Sequence, residues 1–80
     1  MDNLKDEIEK WTMRAKEKRK RIEAEKGYER LLMNIDAYIS DSEYFLRKKN
    51  DLIRSFEAII WSWAIMELGT EYMLLKEVPK

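Results

Sequence analysis

Residues 51–77 read DLIRSFEAIIWSWAIMELGTEYMLLKE, and this stretch decides the fold. Mostly apolar side chains recur in it every three or four residues, which is the helical period, at Leu52, Ile53, Phe56, Ile59, Ile60, Trp63, Met66, Thr70 and Leu74. A second stripe follows another side of the same helix at Trp61, Ile65, Leu68, Tyr72 and Leu75. A helix that is apolar on nearly all sides is expected to be covered on nearly all sides. The sequence therefore predicts a largely buried helix over 51–77.

Two further helices are predicted before it. The first covers 3–26, because Asn3 and Asp6 have the spacing of a capping box and Gly27 suits a left-handed helix end. Its apolar stripe is Leu4, Ile8, Trp11, Ala15 and Ile22. The second helix covers 28–49, and the pair Asn50-Asp51 supplies the next turn and N-cap.

The connections between these helices are short, so consecutive helices must be antiparallel neighbours. The only proline is Pro79, and no segment alternates apolar and polar residues as a strand does. We therefore predict an all-α fold, an antiparallel up-down-up three-helix bundle with helices at about 3–26, 28–49 and 51–77, forming a single helical domain over 1–80.

The composition excludes several classes of function. The chain has 16 basic and 16 acidic residues, so its net charge indicates neither an acidic nor a basic partner. It has no Cys, which excludes disulfide frameworks, thiol catalysis and zinc fingers, and no His, the commonest general base and metal ligand. The charged N-terminus is unlike a signal peptide, and the apolar stretch 56–68 is too short to span a bilayer. We expect a cytoplasmic protein that does not bind a membrane.

The strings YISDSEYFL (38–46), ND (50–51) and SFEAIIWSWA (55–64) resemble an archaeal family of small, uncharacterised three-helix proteins. That family is a domain of unknown function with a Tyr-x-x-Asp-x-x-Tyr-Phe segment, a short Gly-Asp or Asn-Asp turn and a Phe-Glu-Ala-x-x-Trp-x-Trp segment. The chain departs from the family pattern at Asn50, where Gly is commoner, and at Ser55, where Ala is usual. The resemblance implies a three-helix bundle and brings no assigned activity.

A basic run provides the first candidate site. Residues 16–21 read KEKRKR, within the longer basic segment 14–26. As a nucleic-acid interface it would contact phosphates through Arg14, Lys16, Lys18, Arg19, Lys20 and Arg21. The ordinary interpretation is a solvated helix face whose cations pair with glutamates three or four residues away. The neutral chain favours that interpretation, so we expect nucleic acid to be an unlikely partner.

Glu67 and Glu71 provide the second candidate, because they lie four residues apart on one helix. All-helical magnesium hydrolases hold the ion with carboxylates from neighbouring helices, and oxygen ligands suit that ion. Such a site needs facing carboxylates, for which Asp41 and Glu43 are the best available here. We consider the alternative of cross-bundle ion pairing more favourable, and predict no enzyme, catalytic residue, metal or cofactor.

The second stripe of the last helix provides the third candidate. The first helix offers only Ile22 as an apolar stripe residue after Ala15, so it leaves the end of this stripe uncovered. Exposed apolar patches of this size mark interfaces. We therefore predict a protein-interaction or self-association module. Its preferred form is a homodimer, with a complex with another protein as the alternative, and its interface consists of Trp61, Ile65, Leu68, Tyr72 and Leu75.

Overall fold

A computed structural model describes residues 3–79 of the chain. Its helices are α1 (Leu4–Arg19), α2 (Glu29–Arg47) and α3 (Leu52–Glu71), and they form the predicted antiparallel three-helix bundle. Two short strands, β1 (Ile22–Ala24) and β2 (Leu75–Glu77), accompany the helices. None of the helices in residues 3–79 has both the length and the apolarity that crossing a membrane requires.

The first helix begins where the capping pattern predicts and ends earlier. The Asp6 N–H donates a hydrogen bond of 2.9 Å to the Asn3 side-chain oxygen. The predicted extension to residue 26 is wrong, because α1 ends at Arg19 and residues 22–24 form β1. Gly27 has the expected positive φ of +95°, but it lies in the turn between β1 and α2 rather than at a helix end.

The α2–α3 hairpin matches the sequence prediction. Asn50 adopts φ of +51° in the turn, and the Asp51 side chain accepts a hydrogen bond of 3.1 Å from the Arg54 N–H. Deeper in the hairpin, the Ser42 hydroxyl donates to the Ser55 carbonyl at 2.9 Å, and the Ser55 hydroxyl donates to the Ser42 carbonyl at 2.7 Å. Both serines are fully buried, so these bonds join two closely packed backbones.

The third helix is also shorter than predicted. It ends at Glu71 instead of Glu77, because Met73 adopts φ of +63° and turns the chain back. The Leu74 N–H donates to the Gly69 carbonyl at 2.8 Å and the Met73 N–H to the Thr70 carbonyl at 3.1 Å, which is the hydrogen-bond pattern of a Schellman motif. Met73 occupies the position at which helices usually place glycine.

The returning segment pairs with the residues that follow α1. β1 and β2 are antiparallel, with Ile22 opposite Glu77 and Ala24 opposite Leu75. Strand pairing satisfies backbone groups at this end of the bundle. It also buries Ile22 and Leu75 in the core beside Ala15, Ile35, Ile39, Ile59 and Met66. The strands therefore close the end of the bundle that α1 leaves uncovered.

Candidate interaction surface

The structure leaves three residues of the predicted interface exposed and buries the other two at least partly. Trp61, Leu68 and Tyr72 are exposed, with 57%, 53% and 68% of their area accessible, whereas Ile65 is half-buried against the core. Placing Leu75 in the interface was wrong, because it is 1% exposed. The chain reverses at Met73, so Leu75 leaves the phase of the helix and packs on Gly69.

In place of Leu75, other residues of α3 lie on the outward side of the helix. Ile53 and Ile60 are 69% and 48% exposed, and Ala64 is partly exposed between them and Leu68. We name this outward face the α3 surface, and it consists of Ile53, Ile60, Trp61, Ala64, Leu68 and Tyr72. The opposite face of α3 is buried and carries the small residues Ser55, Ala58, Ser62 and Gly69.

By helical period alone, Ile53 and Ile60 belong to the main apolar stripe instead. The position of the small residues could have located the outward face, because small side chains mark the side on which two helices approach closely.

Two apolar hollows flank the α3 surface, and Ala64 lines both of them. One has a volume of about 330 Å³ and lies between α1 and α3, with a lining of Trp11, Phe56, Ile59, Ile60, Trp63, Ala64 and Glu67. The other has a volume of about 280 Å³ and lies towards α2, with a lining of Leu31, Trp61, Ala64, Ile65, Leu68, Gly69, Tyr72 and Leu74. Each hollow has room for a large apolar side chain.

Aromatic contacts hold the walls of both hollows. The rings of Trp11 and Trp63 meet edge to face at 5.6 Å, and the Trp63 indole N–H donates to the Trp11 carbonyl at 3.1 Å. On the other side of α3, Tyr38 stacks on Trp61 at 6.3 Å. Large rings that are fixed by such contacts present apolar area with little rotamer freedom to lose on binding.

The six predicted nucleic-acid contacts all have partners within the chain. Arg19 forms a bidentate ion pair with Asp36, with N···O distances of 2.7 and 3.2 Å. Lys18 and Arg21 both pair with Glu77, at 3.4 and 3.0 Å. The other three contacts are Lys16 with Glu43, Lys20 with Glu17, and Arg14 over the Trp11 ring. Four of the six contacts join α1, or the residues just after it, to α2 or β2, whereas those of Arg14 and Lys20 stay within α1 and its C-cap.

Glu77 is the most connected of these acidic partners. The hydrogen bond from Arg21 and the attraction of Lys18 hold the pKa of the Glu77 carboxyl below its ordinary value of 4.5. Because both cations lie at or just after the end of α1, Glu77 fastens β2 to that end of the bundle.

The carboxylates proposed for magnesium do not come together with others. Glu67 and Glu71 are exposed on α3, and Glu67 lies at the edge of the hollow next to Trp11. Glu43 is bonded to Lys16 on α1. Within residues 3–79, no group of three or more carboxylates is arranged to hold a metal ion.

The chain resembles known proteins both in its fold and in its sequence. The chain is similar to protein AF1782 from Archaeoglobus fulgidus, whose crystal structure superposes with a TM-score of 0.83 at 47% sequence identity. The alignment covers 94% of this chain and 93% of that one. Residues 1–75 match the family described as "Protein of unknown function (DUF357)", which confirms the resemblance drawn from residues 38–64. No curated protein matches the chain.

Proposed function

Because the chain belongs to this family of proteins of unknown function, we propose a role from its geometry: it is a protein-association module that docks a partner on the α3 surface. The observation that carries the proposal is the exposure of large apolar side chains along the outward face of one helix. Ile53, Ile60, Trp61, Leu68 and Tyr72 are each about half exposed or more.

The size of the α3 surface supports the proposal. A large side chain presents about 150–250 Å² when fully exposed, so the exposed fractions of these residues amount to roughly 600 Å². The largest apolar patch on a typical monomer is about 300–600 Å² and is often functional. Burying such a patch against an equal area would remove about 1,200 Å² from water, the lower end of the range for stable interfaces.

The shape of the α3 surface supports docking of a helix. Ala64 is its smallest residue, so a partner backbone can approach most closely there, with a hollow on either side. Apart from Glu67, the Tyr72 hydroxyl and the indole N–H groups of the tryptophans, the side chains that line the hollows are apolar. This lining suits the docking of apolar side chains better than bond-making chemistry, so the proposed role is binding rather than catalysis.

Site-specific photo-crosslinking tests the proposal even while the partner is unidentified. We would replace Leu68 by p-benzoylphenylalanine in the native cells, and Met33 in a matched control, because Met33 is 70% exposed on α2. We expect a discrete covalent adduct from position 68 alone. Its mass distinguishes a second copy of the chain from a different protein.

A further substitution shows whether that adduct forms because a partner docks on the α3 surface. Ile60→Glu should suppress the adduct, because it places a charge in the apolar contact, whereas Met13→Glu should leave it unchanged. Met13 is 68% exposed and lines a different cleft, between α1 and α2. Equal adducts from positions 68 and 33, or none from position 68, would contradict a docking role for the α3 surface.

A further inference from the structure

The α3 surface carries charge of one sign. Glu57, Glu67 and Glu71 are exposed on the outward half of α3, among the apolar residues of that surface. Arg54 is the only cation in Leu52–Glu71, and it pairs with Asp51 at 3.6 Å at the start of the helix. A partner that covers the apolar residues must therefore lie against three carboxylates.

A second copy of the chain whose α3 is aligned with the first α3 does not complement this charge. Ala64 is the point of closest approach, so an antiparallel pair of α3 helices centred there places Glu57 opposite Glu71 of the second copy. The two-fold symmetry of such a dimer repeats that contact. A parallel pair places each glutamate beside its own counterpart. Both arrangements bring like charges together at an apolar contact, where water screens them poorly.

We propose that the α3 surface binds a basic amphipathic helix of a different protein. The inference rests on the proposed function and names the class of its partner. Lys or Arg residues beside the apolar stripe of such a helix would meet Glu57, Glu67 and Glu71. Of the chain's own cations, Lys16, Arg19 and Arg21 are bonded to carboxylates away from α3. Lys10, Arg14 and Lys18 lie over the Trp11 and Trp63 rings, on the α1 side of one hollow.

The two hollows define the apolar residues of that partner. They lie on opposite sides of α3, so their centres are separated by about one interhelical spacing, roughly 8–10 Å. Residues seven apart on a helix are separated by about 10.5 Å along its axis. A partner helix that crosses α3 steeply over Ala64 therefore fills both hollows with large side chains at positions i and i+7, in the helix-in-groove mode of recognition.

The protein itself supplies a probe for this inference. The variant Glu57→Lys, Glu67→Lys, Glu71→Lys presents the same apolar stripe with basic neighbours. By sedimentation velocity at low salt, we expect the wild type and the variant to be monomeric alone and to form a heterodimer when mixed. The heterodimer should bind at least tenfold more tightly than either self-associated form, and it should weaken as salt rises from about 0.05 to 0.5 M.

A matched control carries the same change of charge elsewhere. Glu9, Glu23 and Glu25 lie outside the α3 surface, so Glu9→Lys, Glu23→Lys, Glu25→Lys should leave the mixture with wild type monomeric. A complex as strong as that of the first variant would show general charge attraction and overturn the inference. If the triple variant fails to fold, Glu57→Lys alone should create a self-complementary face and convert the monomer to a dimer.

The outcomes separate this inference from the proposed function. A wild-type homodimer as tight as the mixed complex overturns the basic-partner inference and supports docking on the α3 surface. Mixtures that stay monomeric, with Glu57→Lys also monomeric, overturn the basic-partner inference as well. The crosslinking experiment then decides the docking role independently, because an adduct from position 68 forms with a partner of any charge.

Discussion

Gly69 is the position at which the packing of β2 on α3 is tested most directly. A Cβ atom added there would lie 2.5 Å from Leu75 Cδ1 and 2.7 Å from Cγ, and Leu75 is buried against the core. Alanine is favoured over glycine inside a helix by about 1 kcal/mol. Overpacking a well-filled core costs about 1–3 kcal/mol. We expect Gly69→Ala to lower the free energy of unfolding by about 1 kcal/mol, with the steric cost outweighing the helical gain.

The same substitution should change sign once Leu75 is truncated. Leu75→Ala alone should cost about 2–4 kcal/mol by leaving a cavity. In that background the new methyl group no longer meets Cδ1 or Cγ, so Gly69→Ala should stabilise the protein by up to about 1 kcal/mol. Urea unfolding of the four proteins, followed by circular dichroism, measures this double-mutant cycle. If Gly69→Ala stabilised the wild type by about 1 kcal/mol, the contact between Leu75 and α3 would be refuted.

The remaining predictions concern backbone strain, a surface ion pair and the α2–α3 contact. Met73→Gly should raise the free energy of unfolding by about 0.5 kcal/mol, because glycine adopts positive φ without a Cβ penalty. An unchanged melting temperature would contradict backbone strain at Met73. Glu77→Gln should cost up to about 1 kcal/mol at pH 7. Because the folded pKa of Glu77 is lowered, its stabilisation is present above pH 4.5 and is lost as pH falls through the folded pKa. The difference in stability between variant and wild type should therefore shrink as the pH falls below 4.5. Ser55→Val should lower the free energy of unfolding in urea by about 1–3 kcal/mol, because it removes the hydrogen bonds to Ser42 and forces two closely packed helices apart. The exposed control Ser40→Val should change that free energy by less than about 0.5 kcal/mol.

The candidate surface was predictable in part. The exposure of Trp61, Leu68 and Tyr72 agrees with the second stripe, because helical phase is a local property of the sequence. The roles of Ile60 and Ile65 were not predictable from phase, since both lie at the edge of a wide apolar face. Which edge of that face is covered depends on where α1 and α2 pack against α3. Because Ser42 of α2 contacts Ser55 closely, Ile60 lies on the outward side of α3 and Ile65 lies towards the core.

The sequence by itself determined the number of helices, their order and two of their caps, because capping and periodicity act over a few residues. Asn3 and Asp51 cap α1 and α3 as their side chains predict. Only the tertiary structure decided that residues 22–24 and 75–77 become strands. Each has three residues, too few to hold an extended conformation alone, and each depends on hydrogen bonds to a segment about fifty residues away. That pairing moves Leu75 from the predicted interface into the core, because a long-range contact leaves no periodic trace in the local sequence.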